Sequence, residues 1–159
     1  MPAVFITLGI TNLKNCMKYF SMLLLLMTIT CAAFAQKNDA ILGKWVNPSG
    51  EAHIDIFKKG EKYFGKIVWM KNPKDESGAV KKDINNPEAS LQSRPILGLE
   101  MLKNFSYEDG KWTDGKIYDP KSGKTYSCNI TQKDPNHISI RGFVGISLLG
   151  RSETWKRVK

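Results

Sequence analysis

Cysteine and histidine are scarce in this chain of 159 residues, which holds three of the first and two of the second. Cys16 and Cys31 fall early, ahead of the part that reads as a folded domain, and leave Cys128 alone. A lone cysteine excludes an intramolecular disulfide. Together with His53 and His137 it also falls short of the four closely spaced ligands of a structural zinc site, so no metal or other cofactor is expected. Cys128 lies in the alternating run Tyr126-Ser127-Cys128-Asn129-Ile130, where a buried thiol fits better than a reactive one. Gly-x-Ser-x-Gly, a Walker loop and His-Glu-x-x-His are all missing, so the sequence points away from an enzyme and no catalytic residue is assigned. Asp83 and Asp119 would be the carboxylates available for acid–base work. Nor is there a basic stripe interleaved with stacking aromatics. The net charge of +9 is spread over Lys58-Lys59, Lys62, Lys66, Lys71, Lys74 and Lys81-Lys82 with acids between them, which describes a solvated surface and not a nucleic-acid interface.

What is present falls into two physically different parts. Residues 17–35 open with Met17-Lys18, continue through the apolar run Leu23-Leu24-Leu25-Leu26 and end on Ala33-Phe34-Ala35. That is the basic start, apolar middle and Ala-x-Ala cleavage pattern of a secretory signal peptide, which predicts cleavage near Ala35 and a periplasmic or secreted product. A membrane anchor is the alternative, but 19–35 is interrupted by Ser21, Thr28 and Thr30 and falls short of the ~20 residues a span needs. Residues 1–16 carry Lys14 as their one charge and read as a mis-assigned upstream extension. Lys14 and Lys18 are the only two of the 24 basic residues ahead of Gln36, and all 15 acidic ones follow it, so the segment 36–159 carries +7. A segment of this size is one domain.

Within 36–159 no apolar periodicity of helix length occurs, whereas short runs of period two recur between Gly, Pro, Asn and Asp clusters. Strands are predicted over 41–46, 52–57, 63–70, 97–102, 116–118, 125–131, 137–143 and 152–158. Asn47-Pro48-Ser49-Gly50, Lys58-Lys59-Gly60, Glu108-Asp109-Gly110, Asp119-Pro120-Lys121-Ser122-Gly123 and Lys133-Asp134-Pro135-Asn136 supply the turns. About eight strands joined by hairpin-length turns make an all-β, up-and-down antiparallel β-barrel, since closure removes exposed edges. The exception is the polar segment 72–95, a long loop with one helical turn around 88–92.

Alternation assigns the inward phase. Along 63–70 the phase free of Lys66 is Tyr63, Gly65, Ile67 and Trp69; elsewhere it is Ala52, Ile54 and Ile56, then Tyr126, Cys128 and Ile130, then Ile138, Ile140 and Gly142. An eight-stranded barrel is just wide enough to be filled or to hold one small ligand. Tyr63, Trp69 and Tyr126 either fill the core or line an apolar pocket with polar tips, suited to a small apolar or amphipathic ligand.

Gly43-x-Trp45 in the first strand, with Arg157 two residues past Trp155 in the last, resembles the lipocalin arrangement in which a tryptophan closes the barrel floor beneath a basic side chain. Further motifs run in order along the chain: Gly65-Lys66-Ile67-Val68-Trp69, Asn85-Asn86-Pro87, Arg94-Pro95-Ile96-Leu97-Gly98-Leu99, Gly115-Lys116-Ile117-Tyr118-Asp119-Pro120, Ser122-Gly123-Lys124-Thr125-Tyr126 and Arg141-Gly142-Phe143-Val144-Gly145-Ile146. Together they resemble the bacterial domain-of-unknown-function family 2147, small secreted proteins. The resemblance implies a lipocalin-like barrel and export, and assigns Gly43, Trp45 and Arg157 to barrel closure. It implies no activity.

Arg94 and Arg141 stand beside apolar neighbours, and a buried guanidinium needs a partner or an anionic ligand. Asp83, Arg94, Tyr118, Asp119 and Arg141 are therefore expected to gather at the barrel mouth, either reading the head of a ligand or holding the 72–95 loop down. The apolar stretch 143–150 occupies a place where a polar turn is normal, so it is a plug for the barrel end or a contact surface for an envelope protein or a membrane. Two readings follow: a ligand-binding barrel, or an interaction protein of the cell envelope with a filled barrel that docks through 143–150. The size of the interior cavity separates them.

Overall fold

A computed structural model describes residues 18–19 and 38–159 of the chain. The expected upstream extension 1–16 lies outside the described residues, as does the export segment 17–35 apart from Lys18 and Tyr19. The fold is that of the compact unit Ala40–Lys159. Its strands are β1 Gly43–Val46, β2 Ala52–Lys59, β3 Lys62–Met70, β4 Glu100–Glu108, β5 Lys111–Asp119, β6 Lys124–Asp134, β7 His137–Phe143 and β8 Arg151–Arg157. Each pairs antiparallel with the next, and β1 closes on β8 through Trp45 opposite Arg157 and Val46 opposite Lys156. The all-β, up-and-down barrel read from the alternation is the fold observed.

The turns form where the chain supplies turn chemistry. Between β5 and β6 the Asp119 carboxylate accepts from the Lys121 N–H and the Ser122 hydroxyl, and Gly123 takes the left-handed conformation at φ 70° that ends the turn. One end of the barrel, the floor, carries the short β2–β3, β4–β5 and β6–β7 turns together with residues 40–42. The mouth carries the 47–51, 71–99, 120–123 and 144–150 connections.

The floor half is packed solid. Trp45, Ile56, Tyr63, Phe105, Trp112, Ile130 and Ile138 are all buried there, and Tyr63 meets Trp112 edge-on at 6.2 Å. Gly115 makes this packing possible, because a Cβ at that position would lie 2.2 Å from the Phe105 ring. Beneath the core the Arg157 guanidinium stacks on the Trp45 ring at 4.1 Å. It donates to the carbonyls of Ala40, Leu42 and Pro135, while the Trp45 indole N–H donates to the Ile41 carbonyl. Gly43 adopts φ 112° and leaves 3.1 Å between a notional Cβ and the Arg157 Nη1, so the strand enters without displacing the guanidinium.

Several strand expectations change: the strand expected at 116–118 runs the full length from Lys111 to Asp119. The strand expected at 97–102 begins at Glu100 and runs on to Glu108, because Gly98 takes a left-handed conformation at φ 90°. In β3 the register shifts by one residue, with Ile54 opposite Ile67 but His53 opposite Trp69. This β-bulge moves the inward phase from odd to even positions. Trp69 therefore lies on the outer surface against the His53 ring at 4.3 Å, and Met70 takes the inward place assigned to it.

Candidate functional site

The mouth half of the barrel is hollow. A cavity of about 940 Å³ opens there, within the 300–1,000 Å³ typical of small-molecule sites. Its base is formed by the buried Ile54, Ile67, Ile140 and Trp155, and its open apolar surface by the half-buried Met70, Met101, Ile117 and Tyr126. Alternation places most of these side chains inward, bulges turn Met70 and Met101 in, and the small residues Ala52 and Gly142 keep the space open.

The rim is polar. Lys71, Lys81, Lys121 and Arg151 border it together with Glu51, Asp119 and Glu153. Two of the three acids are engaged. Asp119 caps its own turn, and Glu51 accepts from the Lys121 Nζ at 2.8 Å. That ion pair joins the β1–β2 and β5–β6 turns, four strands apart around the ring, and so spans the mouth. The Lys121 hydrogen bond and charge hold the Glu51 carboxyl below its usual range. Both side chains remain well exposed, so water screens the pair. Lys71, Lys81 and Arg151 border the same rim as Glu153, whose Oε2 lies 3.4 Å from the Trp155 indole N–H.

The eight residues expected to line a site separate into groups. Tyr126 lines the cavity. Tyr63 does not: it belongs to the filled floor half, with the Lys58 ammonium 5.4 Å from its ring centre. Trp69 is turned outward by the bulge. Asp83, Arg94 and Tyr118 do come together, joined by Asn86. Asp83 is fully buried and accepts from the Tyr118 hydroxyl at 2.6 Å, the Asn86 amide at 2.8 Å, and the Arg94 Nε and Nη2 at 2.9 and 2.7 Å. Burial by itself would raise the Asp83 pKa; the bonds from Tyr118, Asn86 and Arg94 outweigh it and hold the carboxyl below its usual range. Tyr118 moves the opposite way, pushed up by burial and by the Asp83 carboxylate that accepts its proton.

This cluster fastens the 72–95 segment to β5. Tyr118, next to the inward Ile117, borders the cavity and is buried under the loop, its hydroxyl on Asp83. The Asn85 amide donates to the Lys121 carbonyl, and Gly123 gives way to the Asn85 backbone, whose oxygen lies 1.8 Å from where a Cβ would stand. The helical turn expected around 88–92 is a 3₁₀ turn, Ala89–Leu91. Asp119 takes no part in the cluster, being spent on its turn, and so the Asp83–Asp119 carboxylate pair does not form.

Arg141 stands apart as well. Its Nε donates to the Ser147 carbonyl, its Nη2 to the Leu148 carbonyl and its Nη1 to the Ser152 hydroxyl, so it braces the 144–150 connection. Neither Arg94 nor Arg141 faces the cavity, because both guanidinia are taken up by acceptors elsewhere. The cations at the rim are not among the expected site residues; Lys71 and Lys81 read in the sequence as solvated surface. Arg151 was recoverable, since it shares the inward phase of Glu153 and Trp155 on β8. Lys71, Lys81 and Lys121 lie in connections, where no alternation operates. Among the described residues no group of three or more His, Cys, Asp or Glu side chains could hold a metal ion.

Comparison with known proteins agrees with the architecture. Protein HP1028 from the human pathogen Helicobacter pylori, described as belonging to the lipocalin family, has a similar structure with a TM-score of 0.63 and 21% sequence identity. The match covers 75% of this chain and 83% of that one, and at such identity it speaks for the fold alone. No curated protein matches the sequence. The family model of an uncharacterized protein conserved in bacteria, DUF2147, matches residues 43–157, the whole span from the first strand to the last. With that span and a closed eight-stranded lipocalin-like barrel, the chain belongs to the domain-of-unknown-function family 2147.

Proposed function

We propose that this protein binds a small amphipathic ligand in the mouth half of its barrel. The apolar part lies on the half-buried Met70, Met101, Ile117 and Tyr126, and an anionic head lies among Lys71, Lys81 and Arg151. The observation that carries this reading is the cavity of about 940 Å³ above a packed floor. An interior needed only for stability would be filled, because protein cores pack to crystal density and voids cost stability. The interaction protein with a filled barrel loses its premise on the same observation. Fold alone supplies no ligand, so the head group is argued from the rim: with Glu51 paired and Asp119 engaged, basic side chains prevail there. Export is part of the proposal, supported by the signal pattern of 17–35.

The test is native mass spectrometry of the protein taken from the envelope of its own bacterium. A bound anionic amphiphile that is released on denaturation is expected. A single ligand-free mass, together with no uptake of added dodecanoate, would overturn the reading.

A further inference from the structure

The 144–150 connection neither plugs the barrel nor packs on it. Val144, Ile146, Leu148 and Leu149 are between 62% and 82% exposed at the tip of the β7–β8 hairpin, on the mouth side. An apolar loop left open to water is ordinarily a mobile one, but here the backbone is held. The Ile146 carbonyl accepts the Leu149 N–H, the Ser147 carbonyl accepts both the Gly150 N–H and the Arg141 Nε, and the Leu148 carbonyl accepts the Arg141 Nη2. Gly150 permits the tight return, since a Cβ there would lie 2.7 Å from the Gly142 carbonyl oxygen. The tip thus shows apolar side chains outward while three successive carbonyls are satisfied from within. Satisfied carbonyls suit a hydrocarbon boundary, where an unpaired backbone group is costly.

The charge fits the same surroundings. From Pro135 to Ser152 the chain contains no acid, and Arg141 and Arg151 flank the tip. Basic groups beside a short apolar insertion are the pattern of interfacial attachment to anionic lipid. We propose that the β7–β8 tip is a docking element that inserts Val144, Ile146, Leu148 and Leu149 into the surface of an anionic bilayer, bringing the barrel mouth to the membrane.

Sedimentation with lipid vesicles tests this, using the protein as its host processes it. Vesicles of phosphatidylglycerol and phosphatidylcholine in equal parts are compared with phosphatidylcholine alone. The wild type is expected to bind the anionic vesicles about tenfold more tightly, and Leu148→Ser with Leu149→Ser to lose about tenfold in affinity. Both leucines are exposed, so the fold survives the change. Arg151→Glu should erase the preference for anionic lipid. Equal binding by wild type and the serine variant overturns the proposal, as does absence of binding to either vesicle. A tip-dependent crosslink to an envelope protein, with vesicle binding unaffected by the serines, overturns it in favour of a protein partner. The proposal does not rest on the ligand reading: Ala52→Phe, which narrows the cavity from β2, away from the tip, should leave vesicle binding unchanged.

Discussion

Replacing Asp83 with alanine removes the acceptor on which the long loop hangs. The carboxylate is fully buried and takes four hydrogen bonds from three side chains, with three of the four falling on one oxygen. Hydrogen bonds to a charged group are worth ~1.5–3 kcal/mol each, but bonds that share an oxygen do not add. Stranding the partner of a buried ion pair costs ~3–5 kcal/mol. The Arg94 side chain is 29% exposed and recovers some water when its partner goes, which places the loss near the lower end, ~3 kcal/mol. For a domain of this size that lowers Tm by about 10 °C. Urea titration followed by tryptophan fluorescence measures the loss, and limited proteolysis reports whether 72–95 opens first.

The acid limb carries the sign of the Asp83 shift. Its folded pKa lies below the unfolded value, so its contribution is complete above the ordinary carboxylate range and is lost as pH falls through the depressed value. The wild type should therefore lose stability below about pH 4 more steeply than Asp83→Ala. Tyr118→Phe should cost ~1 kcal/mol in the wild type and almost nothing in Asp83→Ala. An alanine variant within ~0.5 kcal/mol of wild type, with 72–95 no more readily cut, would refute the claim that this cluster holds the loop.

Other consequences follow from the same contacts. Gly123→Ala combines a left-handed φ of 70° with a Cβ placed 1.8 Å from the Asn85 oxygen, so it should release the loop at a cost of ~2–4 kcal/mol, read as faster proteolysis within 72–95. Arg157→Ala removes the stack on Trp45 and three carbonyl contacts at the floor and should cost ~2–4 kcal/mol in a urea titration. Burial pushes the Cys128 thiol up to about 12, so labelling of Cys128 by a thiol reagent at pH 8 should be detected by peptide mass mapping only after denaturation.

The alternation of apolar and polar residues was enough to count eight strands and their order, but it caught only the mouth-side ends of β4 and β5. Alternation misleads where the backbone departs from it. Nothing in Gly65-Lys66-Ile67-Val68-Trp69 announces that Val68 is the extra residue of a bulge, and one such residue is enough to turn Trp69 out and Met70 in. Asn104 and Asp114 do the same in the middle of the β4–β5 pair, where both take left-handed conformations and bring Phe105 over Gly115. The Asp83–Arg94–Tyr118 contact was legible because a buried charge must find a partner, and few candidates stood near. The same rule gave no way to tell Arg141 from Arg94. Arg141 satisfies itself on main-chain carbonyls, which every residue carries and no sequence pattern marks.

The central claim, an occupied cavity at the mouth, is tested most directly by titrating dodecanoate against the wild type and against Gly142→Phe and Ala52→Trp, with the Trp155 environment as the fluorescence signal. Both positions line the cavity, from β7 and β2, and a Cβ at Gly142 meets only ordinary contacts, the nearest being Ile117 at 3.6 Å. Saturable binding to the wild type, weakened about tenfold or more by each substitution in a protein of unchanged circular dichroism, is the predicted result. Binding of equal strength in all three proteins, or none in any, would contradict it.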